Sequence, residues 1–449
     1  MRSVPDALGS RRARLARWAY PRAVGTRIDG RSVAASKAPS RAHRVRAVTT
    51  PLDGVSNLLA LLPPEEFVAW VRRGEGLVGW GVAARLQVRG DERFSRAQRW
   101  WNEQLAATDI DDSVSLPGTG PVAFASFAFD PHQPSEIVVP QVVVGLRSGQ
   151  AWITVVQPEG ERHSSELPLV PVAEGPTSIT WSEGSQSPIA WQQLVAQAVA
   201  RINAGEVDKV VLARDAVAHV DGTLDARYLL QQLARSYPGT WTFHVANLVG
   251  ATPELLVRRT GDLVTSRVLA GTVRTMGDAV TDQGLAQALL GSDKDLEEHE
   301  YAVYSVARAL AAHCTDLDVP ESPSVLELAN VQHLATDVTG RLADDASVLA
   351  LAASLHPTAA VCGTPTERAF TLINELEGMD RGRYAGPVGW FDAHGDGEFG
   401  IALRCALIDS DAKTVRAYAG CGIVAGSDPE KELSESNAKL VPIRDALES

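Results

Sequence analysis

Residues 187–214 read SPIAWQQLVAQAVARINAGEVDKVVLAR. Ser187 is placed to cap a helix, and Pro188 suits its first turn, where no backbone donor is lost. Trp191, Leu194, Val195, Ala198 and Ile202 then recur at helical spacing, so one face is apolar. Gly205 ends the helix. From Asp208 to Arg214 the pattern changes to an aliphatic run of strand length, the kind that is normally buried on both sides. Lys209 stands at its head, and Lys is among the residues least often fully buried. Two readings follow. Either the side chain lies along the strand end with its ammonium in water, or the amine sits in a dry pocket. Desolvation there disfavours the charged form, and a neutral lysine is a general base or a nucleophile.

Working outward, the spacing predicts strands near 241–249, 254–258 and 263–268 and a helix from Ser292 to His313. Helices follow near 346–354 and 365–376, with strands at 387–392, 399–408 and 414–418 and a last helix from Asp428 to Leu447. Upstream, residues 51–185 read as short strands and turns. The run Pro63-Pro64-Glu65-Glu66-Phe67-Val68-Ala69-Trp70 reads as a helix start. Phe124–Phe129 alternates like a strand, and Val138–Gly145 with Ala151–Val156 reads as a hairpin. Residues 157–187 form a polar linker or long surface loop.

A chain of 449 residues that is 45% hydrophobic and 22% charged has the composition of a globular protein, with no apolar run near the ~18 residues that span a bilayer. Cys314, Cys362, Cys405 and Cys421 are far apart and form no CxxC pair, which argues against a disulfide framework or zinc site and for a reducing cytoplasm. The net charge of −13 is unevenly spread. Residues 1–50 carry twelve Lys/Arg against two Asp/Glu, about +10, which leaves about −23 for the rest. That segment reads as a disordered tail, as an arm for nucleic acid or a membrane surface, or as an over-extended start of the reading frame. The acidic remainder argues against nucleic-acid binding by the folded part.

Two helices repeat one device. Asp295 and Glu298 on the first, and Glu432 and Glu435 on the second, are i,i+3 pairs, so each pair shares a face. Such pairs are either solvated faces or, if the helices converge, a hard oxygen site suited to Mg²⁺. Lys439, four residues after Glu435, reads as a surface ion pair or as part of that site. The second helix is entered through Gly420-Cys421-Gly422, where small residues let a ligand approach the backbone. A similar run, Leu269-Ala270-Gly271-Thr272, follows an earlier strand. Glu254, behind Pro253 and before Leu255-Leu256, is either a strand-edge surface acid or a carboxyl whose pKa is raised by apolar neighbours. Arg404, between Leu403 and Cys405 in a run read as one strand, calls for a carboxylate partner. His333 reads as a core histidine.

Nine segments in unbroken order resemble the chorismate-binding enzymes. They are DKVVLAR (208–214), ATPELLV (251–257), LAGT (269–272), SDKDLEEHE (292–300), VQHLATDVTGRL (331–342), LHPTAAVCGTP (355–365), RGRYAGPVGW (381–390), IALRCA (401–406) and AGCGIVAGSDPEKELSESNAKL (419–440). The resemblance implies one α+β domain like that of anthranilate synthase component I, with two packed mixed sheets, outer helices and a central cleft. Residues 51–185 would be its N-terminal part, 186–449 its chorismate-binding catalytic region, and 1–50 a basic extension.

It also implies a single Mg²⁺ on the ring carboxylate of chorismate, held by Glu298 and Glu435, with Asp295 and Glu432 helping through water. Tyr384 and Arg404 would grip the enolpyruvyl carboxylate. Gly420, Gly422 and Lys439 would line the carboxylate end, and Gly271, Thr272, His333 and Ala360 the rest of the substrate site. Members that add ammonia tend to carry Gln at the position of Lys209, and those that add water carry Lys. Lys209 would then activate water for attack at ring C2, and Glu254 would protonate the leaving C4 hydroxyl, giving isochorismate. Salicylate synthases, which go on to eliminate pyruvate, tend to carry Thr at Ala360, so the resemblance favours plain isochorismate synthase, without a glutaminase subunit and as a monomer. Departures are Val268 for a usual Pro, Cys421 for Ala and Cys362 for Ser. The product would feed menaquinone or siderophore synthesis.

Overall fold

In a computed structural model, residues 45–158, 167, 170–328 and 331–449 are described. The segment quoted above folds as its spacing predicts. Ser187 Oγ accepts the Ala190 N–H, Pro188 takes the first turn, and the helix runs Pro188–Asn203. The strand Lys209–Val220 follows, buried at every position but His219. It lies near one edge of the larger of two sheets.

The larger sheet runs, in spatial order, Ile179–Glu183, Lys209–Val220, Thr414–Ile423, Cys405–Ile408, Leu248–Thr252, Trp241–Val245, Phe67–Arg72, Glu75–Trp80, Val142–Arg147, Gln150–Pro158, Val45–Leu52 and Thr108–Asp112. The smaller runs Cys314–Asp318, Val331–Leu342, Leu263–Arg274, Leu255–Thr260, Gly397–Ile401, Pro387–Asp392, Val122–Ser126, Ser135–Val139 and Ala84–Val88. Neighbouring strands are antiparallel except Val45–Leu52, which pairs in parallel with Thr108–Asp112. Trp70, Trp152 and Phe243 from the larger sheet share one core with Phe124, Trp390 and Phe399 from the smaller. Gly400 is needed there, because a Cβ would stand 2.9 Å from the Glu254 carbonyl oxygen and 3.0 Å from the Trp70 ring. The fold is the α+β architecture expected.

The helices are α1 (Arg93–Ala106), α2 (Pro188–Asn203), α3 (Ala226–Ser236), α4 (Ala279–Leu290), α5 (Asp293–Leu310), α6 (Val348–Leu355), α7 (Thr366–Leu376) and α8 (Pro429–Glu448). Helix α8 packs on α2 and α3, and α5 on the strand Leu263–Arg274. The described residues form a single compact unit.

The chain passes between the sheets twice at one place. Leu248–Thr252 belongs to the larger sheet and Leu255–Thr260 to the smaller, so Pro253-Glu254 is a crossing. Gly397–Ile401 and Cys405–Ile408 are divided likewise, so Ala402-Leu403-Arg404 crosses back. Backbone hydrogen bonds tie the two crossings together, Ile401 N–H to the Glu254 carbonyl at 3.2 Å and Ala251 N–H to the Arg404 carbonyl at 3.1 Å.

Several expectations need correction. Residues 399–408 are not one strand, and Arg404 lies outside both, at φ +48°. Phe67–Trp70 is a strand rather than a helix start. It forms a hairpin with Glu75–Trp80 through Arg73 and Gly74, both at positive φ, the turn geometry that matches strand twist. Val138-Val139 belongs to the smaller sheet, and the hairpin is Val142–Arg147 with Gln150–Pro158. Part of the expected linker, Ile179–Glu183, is an edge strand. The first strand begins at Val45, so the folded region starts before residue 51. The rest of the basic segment lies outside the described residues.

Candidate active site

The crossings open onto a cavity between the sheets with an empty volume of about 600 Å³. The larger sheet contributes Val211, Gly420 and Gly422, and the smaller contributes Leu269–Thr272 and His333. Glu254, Leu403 and Arg404 come from the crossings, and Glu298 and Lys439 from α5 and α8. Pro253, Ala360, Val361, Arg381, Tyr384 and Ala385 complete the wall. Eleven of the residues singled out in the sequence therefore meet in one place. Lys209, Asp295, Glu432 and Glu435 are absent from the wall and stand behind it.

Lys209 is fully buried, and its Nζ lies 3.1 Å from Glu298 Oε1 as an ion pair without a well-directed hydrogen bond. The surface-lysine reading is excluded. Gly422 makes the pairing possible, because a Cβ there would fall 2.1 Å from Glu298 Oε1 and 3.0 Å from Lys209 Cε. Gly420 does the same for Tyr384, whose hydroxyl would be 2.8 Å from a Cβ. The Tyr384 ring stacks on Tyr418, centroids 5.2 Å apart.

Glu254 is buried, and burial raises its pKa from 4.5 to about 8 against the opposing pull of Lys209, Arg404 and Lys439. It is therefore protonated at neutral pH, an acid with a proton to give. Arg404 reaches His333, with Nη2 3.2 Å from Nε2. The other ring nitrogen, Nδ1, is 3.1 Å from the Gly271 carbonyl oxygen and 3.1 Å from Thr272 Oγ1. Burial, then Arg404 and Lys439, hold His333 well below its usual pKa. A neutral ring with the proton on Nδ1 satisfies this network, donating to Gly271 and accepting from Arg404. His333 thus orients Arg404, a role that the reading as a plain core residue missed.

The acidic residues lie near the openings of two helices, as the resemblance implies. Ser292 caps α5 and Asp428 caps α8, so both acidic pairs sit in the opening turns. Each glutamate meets a lysine: Glu298 with Lys209, Glu435 with Lys439 at 2.5 Å, and Glu432 with Lys294 at 2.7 Å. Glu298 is half-buried, and although that burial works against its charge, Lys209, Lys439 and Lys294 together pull its pKa below normal. Burial raises Asp295 and Glu432, each also pushed up by neighbouring carboxylates. Although burial opposes its charge, Lys294 is held protonated by Glu432, with Glu298 and Glu435 adding to the pull. Lys439 also donates to the Gly420 carbonyl at 2.9 Å. Carboxylates from two helices, crowded and partly desolvated, fit a divalent cation with oxygen preference. Gly271 keeps room beside them, since a Cβ would lie 3.0 Å from Asp295 Cβ. Cys421 Sγ lies within 4.8 Å of carboxylate oxygens of Glu432 and Glu435.

The residues that sequence reasoning missed are Arg381 and, on the apolar wall, Val211, Val361 and Leu403. Arg381 lies inside a segment quoted above, but a charged residue between Asp380 and Gly382 carried no signal of burial.

The profile of the chorismate binding enzyme family matches residues 40–448. The chain belongs to that family. Among its relatives is the salicylate biosynthesis isochorismate synthase of Pseudomonas aeruginosa, 35% identical over 409 residues, covering 84% of each chain. The isochorismate synthase EntC of Escherichia coli is 34% identical, covering 87% of this chain and 97% of its own. The structure matches the menaquinone-specific isochorismate synthase MenF of Escherichia coli with a TM-score of 0.74 at 27% identity, covering 90% and 94% of the two chains. Anthranilate synthase component I of Streptococcus pneumoniae shares the fold at a TM-score of 0.64 and 20% identity. No helix among the described residues is long and apolar enough to cross a membrane.

Proposed function

We propose that the protein is an isochorismate synthase, an isomerase that converts chorismate to isochorismate. The observation that carries this reading is a buried carboxyl on the cavity wall, Glu254, whose pKa of about 8 keeps it protonated, together with a fully buried amine, Lys209, packed against Gly422 of the same wall. Arg404 and Tyr384 offer donors for one substrate carboxylate. Glu298 and Glu435, with Asp295 and Glu432, would hold Mg²⁺. When bound, that ion supplies positive charge to the ring carboxylate as electrons shift through the ring.

The step calls for Lys209 as the neutral amine, its extra proton given up and its ion pair with Glu298 released; it then takes a proton from water as the water oxygen bonds to ring C2. The ring double bonds move, the bond from C4 to its hydroxyl breaks, and Glu254 delivers its proton so that the group leaves as water. One water enters and one departs, so substrate and product are isomers. The lysine and the carboxyl then exchange protons with solvent to reset. Position favours this order of roles: a protonated acid suits a leaving group, and an amine suits a nucleophilic water. Ala360, a methyl group on the cavity wall, fits a site that stops at isochorismate. We place the enzyme in the cytoplasm, acting as a monomer without a glutaminase subunit, with its product passing to menaquinone or siderophore synthesis.

The test is incubation with chorismate and Mg²⁺, with products separated by chromatography. Isochorismate alone is expected. Free salicylate with pyruvate would instead identify a salicylate synthase, and turnover only with ammonia would remove Lys209 from its assigned role.

A further inference from the structure

Behind the Lys209 strand lies a buried ion pair that the reaction above does not use. Arg381 and Glu377 are both buried, side-chain exposures 3% and 2%, and pair through two guanidinium nitrogens. Arg381 Nε donates to Glu377 Oε2 at 2.8 Å. Its Nη2 donates to the Val211 carbonyl at 2.7 Å, and Nη1 to the Val361 carbonyl at 2.9 Å. Glu377 Oε1 accepts the Ala213 N–H at 2.7 Å. Another bond joins the same two segments, from Val211 N–H to the Cys362 carbonyl at 2.8 Å. The guanidinium also lies 4.2 Å from the centroid of the Phe129 ring.

One side chain therefore holds the strand that begins with Lys209 against the loop that carries Ala360. Val211 and Val361, the two residues whose carbonyls it fixes, both line the cavity. A planar group with donors in a fixed fork sets two carbonyls at a fixed separation, which an ammonium on a flexible stem does not do. The pair is also costly. Buried charges pay a large desolvation penalty, and well-packed apolar residues often replace them without loss of stability. Placement is the function that remains.

We propose that Arg381, braced by Glu377, is a positioning residue that sets the distance between the Lys209 amine and the ring face covered by Ala360. The role in catalysis rests on the isochorismate synthase reading; the mechanical link does not.

Three variants test it: Arg381→Lys, Glu377→Gln, and the uncharged double change Glu377→Gln with Arg381→Met, which leaves no unpaired buried charge if a single change prevents folding. In each, kcat is expected to fall about 10²-fold, the scale of a displacement near 1 Å, with KM for chorismate within about threefold because the carboxylate contacts are elsewhere. Amide hydrogen exchange at Val211, Ala213 and Cys362 is expected to speed up together. Wild-type kcat in any folded variant overturns the proposal, as does a rise in KM alone, which would make Arg381 a substrate contact. If the wild-type protein does not convert chorismate, the functional reading fails. The exchange experiment still decides the link, and unchanged protection at all three amides overturns it.

Discussion

Glu254→Gln separates the chemistry of that residue from its energetics. The carboxyl has an ordinary pKa of 4.5 and is pushed to about 8 by burial. The folded protein therefore holds a proton that the unfolded chain releases once pH exceeds about 4.5. Below that value both states are protonated and the contribution to stability is whole. As pH rises towards 8, the unfolded state alone gains by ionising, so stability drains away. At 1.36 kcal/mol per unit, the loss across the interval is about 5 kcal/mol. Glutamine has the same shape and no proton to lose. The difference in unfolding free energy between variant and wild type should therefore climb by about 1.4 kcal/mol per pH unit from pH 5 to near 8, whatever fixed cost the amide adds. Urea titrations at pH 5, 6, 7 and 8 measure it. Over the same range kcat of the variant should fall 10²- to 10⁴-fold, roughly the worth of a general acid. A stability difference that is flat with pH would refute the burial argument, and a variant of normal kcat would refute the assignment of the acid.

Lys209→Ala is expected to lose about 10²- to 10⁴-fold in kcat while still binding chorismate, which calorimetry with Mg²⁺ present can check; normal turnover would assign the base elsewhere. Gly422→Ala drives a methyl into Glu298 and Lys209, 2.1 Å and 3.0 Å away. It should raise the Mg²⁺ concentration needed for half-maximal rate by at least about tenfold, a shift of roughly 1.4 kcal/mol; an unchanged Mg²⁺ curve contradicts the placement of Glu298. Chelation by EDTA should abolish activity, restored by Mg²⁺, and Mg²⁺ should raise Tm of the substrate-free protein because binding favours the folded state. Equal Tm with and without the ion would argue against the acidic pairs as its ligands.

The parts of this site visible in the sequence are those that local rules govern. Ser187, Ser292 and Asp428 cap helices because side-chain oxygens meet free backbone N–H groups within three residues. The i,i+3 acids share faces because a helix turns every 3.6 residues. What local rules do not govern stayed hidden. Ile401 to Leu407 reads as one apolar run, and period-two alternation does not say that its ends lie in different sheets. Phe67 to Trp70 followed a plausible helix start, yet its partner across the Arg73-Gly74 turn made it a strand. The meeting of Glu298 with Lys209, 89 positions apart in the chain, was legible only through the family resemblance. Arg381 was unreadable because its acceptors are carbonyls of Val211 and Val361, and a carbonyl leaves no mark in the sequence.

The joined crossings of Pro253-Glu254 and Ala402–Arg404 have a mechanical consequence. Glu254 and Arg404, the proposed proton donor and carboxylate grip, sit where the two sheets are pinned to each other, so any slippage of one sheet over the other is felt there first. On heating, activity should therefore decline ahead of the loss of secondary structure. The same pin keeps Glu254 and Arg404 in step, since neither crossing can shift without straining the hydrogen bonds that bind it to the other.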